Sequence, residues 1–297
     1  MVELETRELE YFIAVADELH FGRAATRLSI AQPALSKAIQ RIESRLGVRL
    51  FVRSSRHVSL TPSGEALQEH GRHALNAVSA AVRNARRAGD DQAHLRLVLK
   101  PGGDAQLLSG ILGEYSHHPD ARRVDILFSG PADRTEFLRD GRADVGLLYA
   151  PFDDLDGLAH ETLHVEDRVA ILPSGHRLAG RGSVQMSDLD GEILPRWKGI
   201  PSDGTGPDEN VLPRRKGQAV PDAGPEITDV VQLLHLITVS RVIGVLPRSL
   251  VEPIPPGLVT VPIADAPPSR LVLAWNEHDR RPLVTSFVAA ALEARGD

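Results

Sequence analysis

Between His20 and Arg56 eight basic side chains (Arg23, Arg27, Lys37, Arg41, Arg45, Arg49, Arg53, Arg56) stand against one acid, Glu43. The run carries +7 in a chain whose total is −6, so the other 260 residues carry −13. A positive segment on an acidic protein is what phosphate neutralisation requires, although charge alone equally describes a solvated face. Apolar spacing decides between them. Leu9, Phe12, Ile13, Ala16 and Leu19 recur at helical intervals and predict a helix over 7–19. Gly22 predicts a break before a short second helix with Ala24, Ala25 and Leu28 inward. Pro33, tolerated in a first turn because its missing N–H would be unpaired there, opens a third helix reaching about Leu46. Leu35, Ala38, Ile39, Ile42 and Leu46 form its inner face, and Gly47 suits its C-terminal end. Gln32, Ser36, Lys37, Gln40, Arg41 and Ser44 are left outside. Two short helices joined tightly, the second wearing such side chains, make a helix-turn-helix. Gln, Ser and Lys reach base edges, whereas Arg41 and Arg45 suit phosphates.

Val48 to Leu60 reads as a β-hairpin wing whose tip presents Arg53 and Arg56 to the DNA backbone or minor groove. Thr61-Pro62-Ser63-Gly64-Glu65 then starts a long helix running to about Ala88. Leu67, Ala74, Ala81 and Ala88 repeat every seven residues, with Val78 and Ala85 on the same face. Such a seam implies a partner helix, the alternative being a helix lying on its own domain. Residues 89–92 form a linker.

From Leu95 the pattern changes to strands (95–99, 124–128, 145–149) alternating with helices (105–115, 134–139), which predicts a parallel, doubly wound sheet. A second sheet region is expected from 169–172, 192–194, 226–228 and 242–246, with a helix over 230–239. A strand at 271–275 and a helix at 283–294 return to the first. The Gly-, Pro- and charge-rich stretch 196–223 reads as an irregular loop.

Absence of cysteine excludes disulfides and thiolate metal sites. The acidic N-terminus is no secretory signal, and no apolar run approaches the ~20 residues of a membrane span. A cytoplasmic protein with no membrane partner is expected. His117-His118 lacks a third ligand at useful spacing, and Asp153-Asp154-Leu155-Asp156 lacks the glycine and terminal glutamate of a calcium loop, so it reads as a polar turn. With no nucleophile elbow or phosphate loop either, neither an enzyme nor a cofactor is expected.

The runs Glu18-Leu19-His20-Phe21-Gly22-Arg23-Ala24-Ala25, Ile30-Ala31-Gln32-Pro33-Ala34-Leu35-Ser36, Leu46-Gly47-Val48-Arg49-Leu50-Phe51 and Leu60-Thr61-Pro62-Ser63-Gly64 closely resemble the LysR-type transcriptional regulators. Weaker resemblance continues through Arg139-Asp140-Gly141-Arg142-Ala143-Asp144-Val145-Gly146, Pro173-Ser174-Gly175-His176-Arg177-Leu178 and Gly244-Val245-Leu246-Pro247. The resemblance implies an α/β chain in three parts. A winged helix-turn-helix would occupy 1–60 and a dimerising linker helix 61–92. A two-subdomain effector domain like periplasmic binding proteins would occupy 93–297, with subdomain I about 93–163 and 266–297 and subdomain II about 164–265.

It further implies a homodimer or homotetramer that binds double-stranded promoter DNA and answers to a small molecule. Gln32, Pro33, Ser36, Lys37, Gln40 and Arg41 would face DNA from the reading helix, and Arg53 and Arg56 from the wing. The effector would sit at strand C-terminal ends, lined by Pro101, Gly102, Gly103, Gly130, Pro131 and Tyr149, with Arg196, Trp197 and Thr228 opposite. One departure stands out. Where the family often places a Ser or Thr, this chain has Gly102 and Pro131, and Lys100 is unusual beside them. Either the effector is not an acid held by hydroxyls, or Arg196 and backbone N–H groups hold it, or the cleft holds none. The rival class is a solute-binding or catalytic α/β protein with a basic cap.

Overall fold

The computed structural model describes residues 4–53, 57–87, 94–130, 133–198, 224–239 and 242–295. The chain divides into two compact units, 1–86 and 87–297.

In the first unit, α1 (Thr6–Glu18), α2 (Phe21–Arg27) and α3 (Gln32–Leu46) precede a hairpin of β1 (Phe51–Arg53) and β2 (Val58–Leu60), then the long α4 (Pro62–Arg87). The helical stripes do what their spacing predicts. Phe12, Ala24, Leu35, Ile39 and Ile42 are fully buried with Leu50 and Phe51, and the rings of Phe12 and Phe21 meet Phe51 at 5.4 and 5.9 Å. Gly22 does not break the chain. It lies inside α2, whose start is capped by the His20 imidazole, Nδ1 accepting from the N–H groups of Gly22 and Arg23 at 3.0 and 3.1 Å. Pro33 sits in the first turn of α3, and Gly47, at φ 71°, closes it.

Helix α4 begins where Thr61 Oγ1 accepts from Gly64 N–H at 3.0 Å. Only glycine fits position 64, because a Cβ there would lie 2.2 Å from the Leu50 carbonyl oxygen. Leu67 and Leu75 pack on the core of this unit. The seam beyond is bare in the single chain: Ala74, Ala81 and Ala85 are exposed, as are Val78 (45%) and Val82 (46%).

In the second unit a five-stranded sheet runs β4-β3-β5-β12-β6. Strand β3 (Leu95–Leu99) is parallel to β4 (Val124–Phe128) and β5 (Val145–Ala150), while β12 (Ser269–Asn276) is antiparallel to β5 and β6 (Leu158–Glu166). The expected all-parallel sheet is therefore mixed: β12 returns to fill it from the far end of the chain, and β6 follows as an antiparallel edge. Helices α5 (Leu108–Ser116) and α8 (Pro282–Ala294) pack together, with Tyr115 and Phe287 rings 5.0 Å apart. Helix α6 (Arg134–Arg139) packs with β3, β5 and β12. Helix α5 starts three residues later than its apolar pattern suggests, because Ala105 and Gln106 hold left-handed backbone.

The second sheet is antiparallel, β10-β7-β11, with β7 (Arg168–Pro173) between β10 (Gly244–Pro247) and β11 (Leu258–Pro262). Helix α7 (Val230–Val239) packs on β7 and β10. The strand expected at 192–194 is only a bridge from Ile193 to Val242; β8 (Arg196–Trp197) pairs with β9 (Glu226–Ile227) instead. One core runs through both sheets, joining Leu97, Leu147 and Leu273 to Val169, Ile171 and Ile237. The linker at 89–92 and most of the loop 196–223 lie outside the described residues.

Candidate functional site

On α3 the residues left outside the apolar face do reach the surface. Gln32, Pro33, Lys37, Gln40 and Arg41 are exposed, and Ser36 is half-buried beside β1. The charge of this region is sorted by pairing. Arg23 binds Glu18 and Arg27 binds Asp17, both at 3.0 Å, and Arg45 binds Glu8 at 2.5 Å. Arg45, suited by sequence to a phosphate, is thus held by α1. Among the described residues the side chains of Lys37, Arg41 and Arg49 form no ion pair.

Arg53 does not project from the wing tip as expected. Its guanidinium donates to Glu43 at 3.1 Å, reaches Ser36 Oγ at 3.5 Å and stacks over the Phe21 ring at 4.5 Å. Glu43, the run's one acid, also accepts from the N–H groups of Leu50 and Phe51 at 2.9 and 3.2 Å. It therefore ties α3 to the start of the hairpin, and the cation follows it. Glu43 was missed because a lone acid in a basic run looks like background. Arg56 lies outside the described residues.

In the second unit the residues expected to line a cleft differ in exposure. Tyr149 is buried, its hydroxyl 2.9 Å from Ser249 Oγ. Pro101, Gly102 and Gly130 are exposed. Gly103 is buried for a packing reason, since a Cβ there would lie 2.4 Å from Lys100 Cγ. Arg196, half-buried, donates from Nε to the Gly224 carbonyl at 3.2 Å. Trp197 packs on the core, and exposed Thr228 donates to Asp229 at 3.1 Å. Pro131 is outside the described residues.

Around Tyr149 the fold assembles a polar group that the sequence did not announce. Arg134 binds Asp153 at 2.7 Å, with the two side chains only 4% and 0% exposed. Asp153 also accepts from Tyr149 N–H at 2.8 Å, so the supposed polar turn begins with a buried carboxylate. Glu166 accepts from Ser249 through N–H at 2.7 Å and Oγ at 2.6 Å. Lys100, half-buried at the end of β3, holds Nζ 5.0 Å from the Tyr149 ring centre. Burial, then the neighbouring Arg134, pushes its ammonium down to about 7, against partial relief from Asp153 and Glu166. Burial likewise pushes the Tyr149 phenol up, with the Ser249 hydrogen bond opposing. Among the described residues no group of His, Cys, Asp and Glu is arranged to hold a metal.

A winged helix-turn-helix followed by a long helix and a two-sheet binding domain defines a DNA-binding regulator of the ligand-responsive kind. Residues 6–65 match the bacterial regulatory helix-turn-helix protein model of the lysR family, and 88–296 match the LysR substrate binding domain. The chain belongs to the LysR family. It is 30% identical over 299 residues to the uncharacterized HTH-type transcriptional regulator YnfL of Escherichia coli, covering 99% of each chain. It is 36% identical to the HTH-type transcriptional regulator AlsR of Bacillus subtilis over 64% of this chain and 63% of that protein. Among solved structures, full-length BenM aligns at 25% identity and TM-score 0.54, over 98% of this chain and 96% of that one. Full-length CbnR in complex with its target DNA shares the fold at 22% identity and TM-score 0.52, over 99% and 100%. Among the described residues no helix is long and apolar enough to cross a membrane.

Proposed function

We propose that α3 enters the major groove of promoter DNA and reads it with Gln32, Ser36, Lys37 and Gln40, Pro33 setting the helix start and Arg41 engaging phosphate. Arg53 acts one step back, holding the hairpin against Ser36. The observation that carries this reading is the sorting of charge. Arg23, Arg27, Arg45 and Arg53 are each tied to an acid, while Lys37 and Arg41 form no ion pair among the described residues and stand exposed on the reading face. A second copy of the chain covers the bare seam of α4, giving a homodimer or homotetramer with paired heads. The effector enters the region bounded by Pro101, Gly102, Gly103, Gly130, Tyr149, Arg196, Trp197 and Thr228. We assign no catalysis to it and place the protein in the cytoplasm.

The test is fluorescence anisotropy with the duplex upstream of the chain's own gene. Binding is expected to weaken steeply with salt, and Gln40→Ala is expected to cost about 1–3 kcal/mol on the target while leaving random duplex unaffected. Indifference to the upstream duplex at low ionic strength overturns the reading.

A further inference from the structure

We propose that Lys100 is a covalent anchor for the effector, its amine condensing with the carbonyl carbon of a small 2-oxo acid whose carboxylate is taken by Arg134. The inference rests on the effector reading above and adds the ligand's chemistry to it.

Geometry supplies each part. Lys100 follows the last residue of β3, at the edge where open α/β sheets take ligands, and it remains partly accessible. Its Nζ lies over the Tyr149 ring, and among the described residues it forms no salt bridge. The two carboxylates nearby are committed elsewhere, Asp153 to Arg134 and Tyr149 N–H, Glu166 to Ser249. Gly103 leaves room for the lysine stem. Burial and Arg134 disfavour the ammonium there more than the ring and the two carboxylates favour it, and a neutral amine is a nucleophile. Arg134 meanwhile keeps one buried donor, Nε, without a partner among the described residues. A buried N–H left over from an otherwise paired guanidinium calls for an acceptor, and a carboxylate beside the carbonyl provides one.

The step balances without a redox partner. The amine nitrogen adds to the carbonyl carbon and the carbonyl oxygen takes a proton, giving a carbinolamine. Loss of that hydroxyl as water then leaves the C=N bond. Because Ser249 Oγ donates to Glu166, the Tyr149 hydroxyl donates to Ser249. This line fixes the Tyr149 ring beneath the amine, and the proton that the nitrogen gives up balances the one that the carbonyl oxygen takes.

The sequence makes the experiment clean, because the chain has four lysines, Lys37, Lys100, Lys198 and Lys216. Full-length protein is incubated with glyoxylate and cyanoborohydride near neutral pH, and the reduced adduct is mapped by peptide mass spectrometry. Lys100 is expected to label at least about tenfold faster than exposed Lys37. Lys100→Arg is expected to remove that label, and Tyr149→Phe to slow it in protein whose circular dichroism is unchanged. No adduct at Lys100, or labelling of Lys100 and Lys37 at one rate, overturns the anchor. A glyoxylate-dependent rise in melting temperature without an adduct overturns the anchor while leaving the effector site standing.

Discussion

In the N-terminal unit three arginines pair at the surface: Arg27, Arg23 and Arg72 hold Asp17 and Glu18 with half or more of each guanidinium side chain in water. In the C-terminal unit Arg134 meets Asp153 at 4% and 0% exposure, and Asp144 holds Arg87 and Arg281 at 1%. Surface pairs of the first kind add little to stability; what they change is which cations remain for a polyanion. Pairs of the second kind are costly to desolvate and worse to break, so they fix where a carboxylate stands rather than how many charges face the solvent. Counting charge therefore finds the face proposed to meet DNA and says nothing of the interior group around Tyr149.

The sharpest way to break this contrast is Arg134→Ala. It strands Asp153 and is expected to lower the unfolding free energy of the C-terminal unit by about 3–5 kcal/mol, read by urea denaturation, while Arg27→Ala costs under about 1 kcal/mol. Equal losses would erase the distinction. Next in size is the salt dependence of DNA binding. Arg41→Ala is expected to reduce the slope of log K against log salt by about 0.9, and Arg27→Ala to leave it unchanged; anisotropy across a potassium chloride series decides. The third test concerns Lys100. Its amine titrates near 7 in the folded chain and near 10.4 when unfolded, so between those values the unfolded chain holds more protons and wild-type stability rises with pH. Lys100→Met is expected to melt higher than the wild type at pH 6, with the gap closing from pH 7 to 10. A gap that stays constant with pH would show that the ammonium is not desolvated.

Much of the N-terminal unit was legible because its signals are local. Helical spacing, Pro33 in a first turn and Gly47 at a C-terminus act over a few residues. Arg53 was misplaced because its partner, Glu43, is brought near only by the hairpin folding back. In the C-terminal unit β6 escaped notice because Leu158–Glu166, an edge strand with polar side chains in water, lacks an apolar run. Strand β11 is short and ends in proline. The cluster around Tyr149 had no chance of being read in one dimension. Ser249 meets Tyr149 and Glu166 across 100 and 83 residues, joining one sheet to the short 3-10 helix that follows a strand of the other.

The bare seam of α4 has a consequence for how the protein is handled. Valines at 78 and 82 stand nearly half in water in one chain; in the dimer proposed above they gain cover by association, and mass action then enters the folding equilibrium. Melting temperature should climb as the solution is concentrated, and dilution alone should empty an operator of its occupant. A titration run at nanomolar protein would then record assembly as much as recognition.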